Sequence, residues 1–410
     1  MDSQGRRRNL WVLFVALFLF HAAAGVASPL LPRLRHALHA SYPQIGWVNA
    51  AFGVTRLLTN VPAGWFLRRR SPSLLVFLGM GIVGSGNLVA ALAQSVYGVI
   101  AGRAIGGFGY SAAVIGTLTL LASLATPTSR ARVFSLYEFL IVAGLALSTA
   151  IAGFVAEWVG WRGGFVLGAL LAVLGLAAAA ASVGRGRLAG VVPMPSKLPM
   201  PPRLVAPDAR SRIRSVSLVL LLSFVLSYAW TGLFYTLYPL YGGERLSLGT
   251  GAVGLAMSAG YVADLALLFP YGWVADRLGR VPVLLAGVLM IALSAFALPL
   301  SGSDGTYMVV GLFIGAGFAC WGLPPALLTD WVSSGSQGLI LGLYRFMIDL
   351  GFILGPWSVS VALESGGFRI AAWLVSGLTG ASLLTFFWLR QRSASAITEA
   401  NADVGKQGQG

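Results

Sequence analysis

Apolar positions in this chain neither alternate with polar ones nor confine themselves to one helical stripe. They run in blocks near 10–32, 43–67, 74–94, 97–122, 133–156 and 163–183, and again near 216–238, 250–275, 281–300, 306–328, 337–363 and 368–390. A helix crossing a hydrocarbon core of about 30 Å needs about 20 such residues. The pattern predicts an all-α membrane protein with twelve transmembrane helices. Residues 184–215, which include VVPMPSKLPMPPR, are too rich in Pro and Arg to span and read as a surface linker. The expected organisation is a six-helix bundle over 1–183, a cytoplasmic linker over 184–215, a second six-helix bundle over 216–392 and a disordered tail over 393–410.

The two sets of six are related. Pro-x-Gly-Trp occurs at Pro62–Trp65 and again at Pro270–Trp273, an offset of 208 residues, and the same offset carries Gly107 and Gly109 onto Gly315 and Gly317. At an offset of 207, SLYEFLIVAGL from Ser135 matches GLYRFMIDLGF from Gly342. Long-period similarity inside an apolar chain marks transporters whose halves move about a central site.

Composition agrees: 57% of residues are hydrophobic and 10% charged, against roughly 25% charged in a soluble domain. With the N-terminus inside, 20 of the 28 Lys and Arg fall in cytoplasmic segments, as the positive-inside rule requires. Both termini are therefore expected in the cytoplasm of a bacterial-type inner membrane. The net charge of +15 follows from arginines that border spans, which suits anionic membrane lipid as a partner and not nucleic acid. RRRNLWV and the apolar run behind it resemble a signal peptide, but cleavage would break the twofold pattern, so a retained helix is expected. Cys320 is the sole cysteine, which permits no internal disulfide and implies no metal site. Neither lysine, Lys197 or Lys406, begins the Lys-Ser/Thr of a phosphate-binding loop, so the chain does not drive transport with a nucleotide site of its own.

GWVADRLGR, from Gly272, is similar to the Gly-x-x-x-Asp-Arg-x-Gly-Arg motif of the major facilitator superfamily, and the chain resembles that family over all but its tails and linker. The resemblance implies two pseudo-symmetric six-helix bundles, a monomer, no cofactor and no enzymatic activity. It also implies a conformational latch at Gly272, Asp276, Arg277, Gly279 and Arg280; a topology anchor is the other reading of these residues. The equivalent copy in the first half, GWFLRRRSP from Gly64, has Arg68 where the family has Asp. GRAIGGFGYSA, from Gly102, resembles the family's fourth-span Arg-x-x-x-Gly-x-Gly pattern and implies proton transfer or substrate positioning at Arg103, beside a purely structural reading in which it bonds backbone carbonyls. The fifth span has Ser148 and Thr149 in place of the antiporter Gly-Pro, whereas the eleventh has Gly355 and Pro356.

A charge at mid-bilayer costs about 2.5–3.5 kcal/mol on insertion scales, so each needs a partner or a use. His21, Arg56, Arg103, Glu138, Asp264, Arg345 and Asp349 are the candidates for substrate binding and proton coupling. Arg56 and Asp264 occupy equivalent places with opposite sign, as do Glu138 and Arg345. On the resembled fold Arg56 reaches Asp349 across the seam between spans 2 and 11, either as a switch between access states or as static neutralisation. The switch reading expects Asp349→Asn to uncouple transport from pH in a folded protein. His21 is either a proton carrier on a cavity helix or a neutral histidine bonded to a hydroxyl. Pro29, Pro32, Pro239, Pro324 and Pro325 mark expected bends. Tyr110, Tyr228, Trp230, Tyr235 and Trp321 are either substrate-stacking or interface aromatics. The sum is a secondary active transporter of a small organic solute, coupled to protons and directed outward. Uptake of an organic anion is the alternative within transport, and a non-transporting sensor or lipid-modifying enzyme the alternative outside it.

Overall fold

The computed structural model describes residues 3–67, 70–125, 129–184, 209–332 and 336–407, and among these no strand occurs. Before the linker, the helices are α1 (Ser3–Gly25), the short α2 (Leu31–Ala37), α3 (Tyr42–Leu67), α4 (Pro72–Leu92), α5 (Val96–Leu124), α6 (Arg130–Val159) and α7 (Trp161–Gly184). After it come α8 (Ala209–Ala229), which continues through the π-helical turns Trp230–Leu237 and Tyr241–Arg245 around α9 (Tyr238–Leu240). Then follow α10 (Thr250–Leu278), α11 (Arg280–Ala297), α12 (Asp304–Phe318), α13 (Leu323–Trp331) and α14 (Gln337–Gln407).

Ten helical stretches among the described residues are long and apolar enough to cross a membrane. The blocks expected at 337–363 and 368–390 share one 52-residue stretch, Gln337–Trp388. Straight, it would be about 78 Å long at 1.5 Å per residue, well over twice the hydrocarbon thickness. Instead it bends at Gly367, whose φ of 74° and ψ of −178° suit glycine and few other residues. The block expected at 43–67 is the 26-residue α3, which carries Arg56 and Asn60 and is not among the ten. The block at 306–328 is broken between α12 and α13 just before Pro324 and Pro325, where the missing amide donors cannot continue a helix.

Two boundaries differ from expectation. Residues 209–215, placed in the linker, already belong to α8, and the tail expected to be disordered from 393 is helical as far as Gln407. SASAITEANADVGKQ holds several good helix formers, and extending an existing helix avoids the nucleation cost. Arg68 and residues 185–208 lie outside the described residues.

Packing of these helices relies on small residues. A Cβ on Gly86 of α4 would lie 2.5 Å from the carbonyl oxygen of Gly102 on α5, so only glycine lets the two backbones approach this closely. Outward faces instead carry large exposed apolar side chains such as Leu92, Trp158, Leu170, Phe269 and Leu384, as lipid contact requires. Between the halves of the sequence, α3 lies along the first arm of α14, and α6 lies along α10.

These two seams are unequal along their length. At the end opposite the linker, a Cβ on Gly53 of α3 would lie 3.0 Å from the Phe352 backbone of α14, and Gly153 of α6 faces Gly254 of α10 with hardly room for a methyl group. Toward the linker-side end, Gly64 on α3, Gly272 on α10, and Gly338 and Gly342 on α14 have nothing within 4 Å of a built Cβ. The halves are therefore wedged together at the far end and splayed at the linker side.

Candidate translocation site

At the bottom of the closed part of the α3–α14 seam lies a charged network. Arg56 donates from Nη2 to Asp349 Oδ1 at 2.6 Å, and Asn60, one turn along α3, donates to Asp349 Oδ2 at 2.5 Å. Ser111 of α5 in turn donates to Asn60 Oδ1 at 2.6 Å. Arg345 approaches the same Asp349 oxygen at 3.5 Å from one turn away on α14. The Asp349 side chain is 0% exposed, Arg56 6% and Arg345 34%. The Arg56 guanidinium also lies over Phe352, 4.1 Å from the ring centroid. One carboxylate thus serves two guanidiniums.

Glu138 of α6 is exposed and interacts electrostatically with Arg345 and with Asp264 of α10. Asp264 is 6% exposed, and among the described residues no hydrogen bond or ion pair reaches it. The structure therefore gathers Arg56, Arg345, Asp349 and Glu138 on the linker-side part of the seam and sets Asp264 across from Glu138.

His21 and Arg103 stand apart from that group. His21, 0% exposed, is 3.2 Å from the Tyr110 hydroxyl through Nδ1 and lies among the rings of Phe20, Tyr110 and Tyr137. Among the described residues its Nε2 has no partner, nor has the buried Tyr137 hydroxyl. Arg103 donates from Nε to the Val48 carbonyl at 3.4 Å and stacks on Phe52 at 4.5 Å.

In the GWVADRLGR segment, Gly279 forms the turn between α10 and α11 with φ of 91°. Arg280 pairs with Asp330 at the end of α13, and Arg277 lies 3.7 Å over Trp273. Gly272 and Asp276 are exposed, and no ion pair reaches Asp276 among the described residues. Both arginines of the expected latch thus find their partners within the second half of the sequence.

Sequence reasoning missed a second polar cluster, at the far end. Glu244 accepts from the Tyr42 hydroxyl at 2.5 Å and pairs with Arg35 at 3.4 Å. Arg35 stacks 3.9 Å over the Tyr42 ring, while the Tyr42 amide donates to Glu364 at 3.0 Å. Deeper in, Asn49 donates to Thr236 Oγ1 at 3.1 Å, and Thr250 donates to the Gly153 carbonyl at 2.9 Å. Each of these bonds joins the two halves of the sequence. Tyr42→Phe combined with Glu244→Gln removes hydrogen bonds to a charged group, each worth about 1.5–3 kcal/mol; Arg35 is 25% exposed, which places the ion pair's share at the low end. The expected result is faster thiol labelling of a reporter cysteine placed at Asn49.

An all-helical, multiply spanning chain with closely related halves and charges buried along their seams is the architecture of a membrane transporter. A family model described as Major Facilitator Superfamily matches residues 13–253 and 219–406. The chain belongs to that superfamily. It is 21% identical over 355 residues to the quinolone resistance protein NorA of Staphylococcus aureus, covering 85% of this chain and 88% of NorA. Among solved structures it is similar to a POT family transporter in complex with a thioalcohol-conjugated peptide, with a TM-score of 0.79, 14% identity and coverage of 94% and 96% of the two chains. A D-xylose–proton symporter matches with a TM-score of 0.72, 18% identity and coverage of 92% and 95%. The relatives are transporters and not enzymes.

Proposed function

We propose that the chain is a proton-coupled secondary transporter that exports a small amphipathic organic solute by alternating access. Its reading is of twelve crossings in two six-helix bundles, 1–183 and 216–392, with both termini cytoplasmic. The observation that carries it is the asymmetry of the seams: packed glycines and cross-half hydrogen bonds at one end, open space at the other, and a layer of buried charge between. With the arginine-rich segments inside, the open end faces the cytoplasm, as an exporter waiting for substrate requires. Asp349, shared by Arg56 and Arg345, is the group whose bonds must rearrange when the α3–α14 seam parts. Outward direction is supported by the likeness to NorA, a quinolone resistance protein. The anion-uptake alternative rests on Arg56, Arg103 and the absence of Gly-Pro from the fifth span; of the two arginines, Arg56 is paired with Asp349, while Arg103 donates to the Val48 carbonyl.

Inverted membrane vesicles with an imposed acid interior test this. An amphipathic fluorescent solute is expected to accumulate inside and to leak out when a protonophore collapses the gradient. Accumulation only under the reversed gradient would instead establish uptake, and no flux across a broad solute panel would sink the transporter reading for this chain.

A further inference from the structure

We propose that the second half of the chain seats one anionic phospholipid from the leaflet on the linker side. Its acyl chain lies in a slot between α11 and the second arm of α14, and its phosphate lies among positive groups at the mouth of that slot. The site is on the outer face of this half, apart from both seams, and does not depend on what the protein transports.

The slot follows from residue size. In their far part α11 and α14 are joined: Phe296 stacks on Trp373 with centroids 5.8 Å apart, and Ser376 donates to the Ala292 carbonyl at 2.9 Å. Toward the linker side the residues between the two helices shrink to Ala286 and Gly380, which leaves a cavity of about 620 Å³. That is within the roughly 300–1,000 Å³ of small-molecule sites. Leu285 and Leu383 form its buried floor, and the exposed Leu289, Leu384 and Phe387 stand around it. Packing does not require glycine at 380, because a Cβ built there meets nothing within 4 Å, unlike the glycine that brings α4 against α5. Glycine inside a helix is less stable than alanine, so this space is kept open against helix propensity.

The rim of the slot faces hydrocarbon, where two occupants compete: a lipid chain or a helix of a second copy. Depth decides between them. The slot begins at Pro282 and closes at Ala292, ten residues on, which is roughly 15 Å at 1.5 Å per residue. That is one leaflet of a hydrocarbon core about 30 Å thick. A spanning helix needs the full thickness, and the stacked Phe296 and Trp373 fill the other half. The few residues of the slot also fall well short of the roughly 20–30 that each side of a stable protein interface contributes.

Charge at the mouth says which lipid. Gly279 precedes α11 there, no side chain caps the first amides of the helix, and the dipole presents its positive end. Arg280 is paired with Asp330, but both are partly exposed, and such a pair is weak enough for a phosphate to share the arginine. Past Phe387 the chain continues into Arg390 and Arg392, with no acid between Glu364 and Glu399. An anionic phosphodiester thus meets positive charge from both helices that form the slot. A zwitterionic lipid brings its own cation to the same place and gains less.

Native mass spectrometry of the purified full-length chain, offered equal amounts of dioleoylphosphatidylglycerol and dioleoylphosphatidylcholine in detergent, tests this. One lipid is expected to stay bound, with phosphatidylglycerol retained at least fivefold more than phosphatidylcholine. Gly380→Leu places a side chain in the slot where nothing obstructs it. It is expected to leave the lipid-free thermal midpoint unchanged or higher while reducing retained phosphatidylglycerol at least fivefold. Arg390→Gln combined with Arg392→Gln is expected to remove most of the preference between the two lipids. Equal retention of both lipids by the unaltered protein overturns the proposal without any variant having to fold, as does phosphatidylglycerol retention that Gly380→Leu leaves intact. A preference untouched by loss of both arginines overturns the placement of the phosphate, and dimers that Gly380→Leu dissolves give the slot to a second copy instead.

Discussion

Asp349→Asn is expected to lower the thermal unfolding midpoint by several degrees, more than any other single substitution among the buried charges. The Asp349 side chain is fully buried and serves Arg56, Arg345 and Asn60 together. Removing one partner of a buried ion pair typically costs about 3–5 kcal/mol, because the other is left as an uncompensated charge. Arg345, about a third exposed, can turn toward the open side of the seam, but Arg56 at 6% cannot. The double variant Arg56→Gln, Asp349→Asn removes both charges of the close pair and is expected to recover most of the loss, so the two changes should be strongly non-additive. Thermal unfolding of the four proteins in the cycle measures that coupling. Transport by the same proteins separates switch from static pair. A switch that must break and reform predicts that Asp349→Asn flattens the pH dependence of flux at a temperature where the protein is folded; an unchanged pH profile leaves Asp349 with a structural role alone.

The partnership of Arg56 and Asp349 was legible because charges within spans stand out in the sequence and the resemblance to the superfamily implied a seam between spans 2 and 11 that brings these two together. Arg280 was legible as part of a motif, but its partner Asp330 was not, since nothing in TDWVSSGSQ distinguishes an ion-pairing aspartate from a solvated one. Tyr42, Glu244 and Glu364 were overlooked for a different reason. They belong to helix ends, where polar residues are expected anyway, and they meet only because the halves are closed at that end. Their contacts encode a state of the molecule as much as its fold, and periodicity carries no information on state. The aromatic cluster around Trp230 was half visible: Trp230, Tyr235 and Trp321 stood out as candidates, but Tyr261 and Phe318 look like ordinary span residues until the π-helical turn packs Trp230 against them. Asp264 likewise drew notice as a charge within a span, while its lack of a partner among the described residues is a property of the packed structure.

Locking the far half of the α3–α14 seam is expected to abolish transport almost completely and reversibly. A Cβ built on Gly53 lies 3.1 Å from the Cβ of Phe352, a few tenths of an ångström short of the roughly 3.5–4.5 Å that disulfides span. Replacing the bulky ring by Cys leaves room for that adjustment. The chain has one native cysteine, Cys320, which is buried, so Cys320→Ser provides a background free of competing thiols. In Gly53→Cys, Phe352→Cys, oxidation should reduce flux at least tenfold and a reductant should restore it. Phe352 also lies over the Arg56 guanidinium, so the reduced double variant, and not the unaltered protein, sets the reference rate. In the proposed cycle the seam at Gly53 parts when a solute leaves at the far end. Flux that persists at the reduced rate with the disulfide shown to be formed would mean that this seam stays shut throughout the cycle, and the access change would then have to occur along α6 and α10 alone.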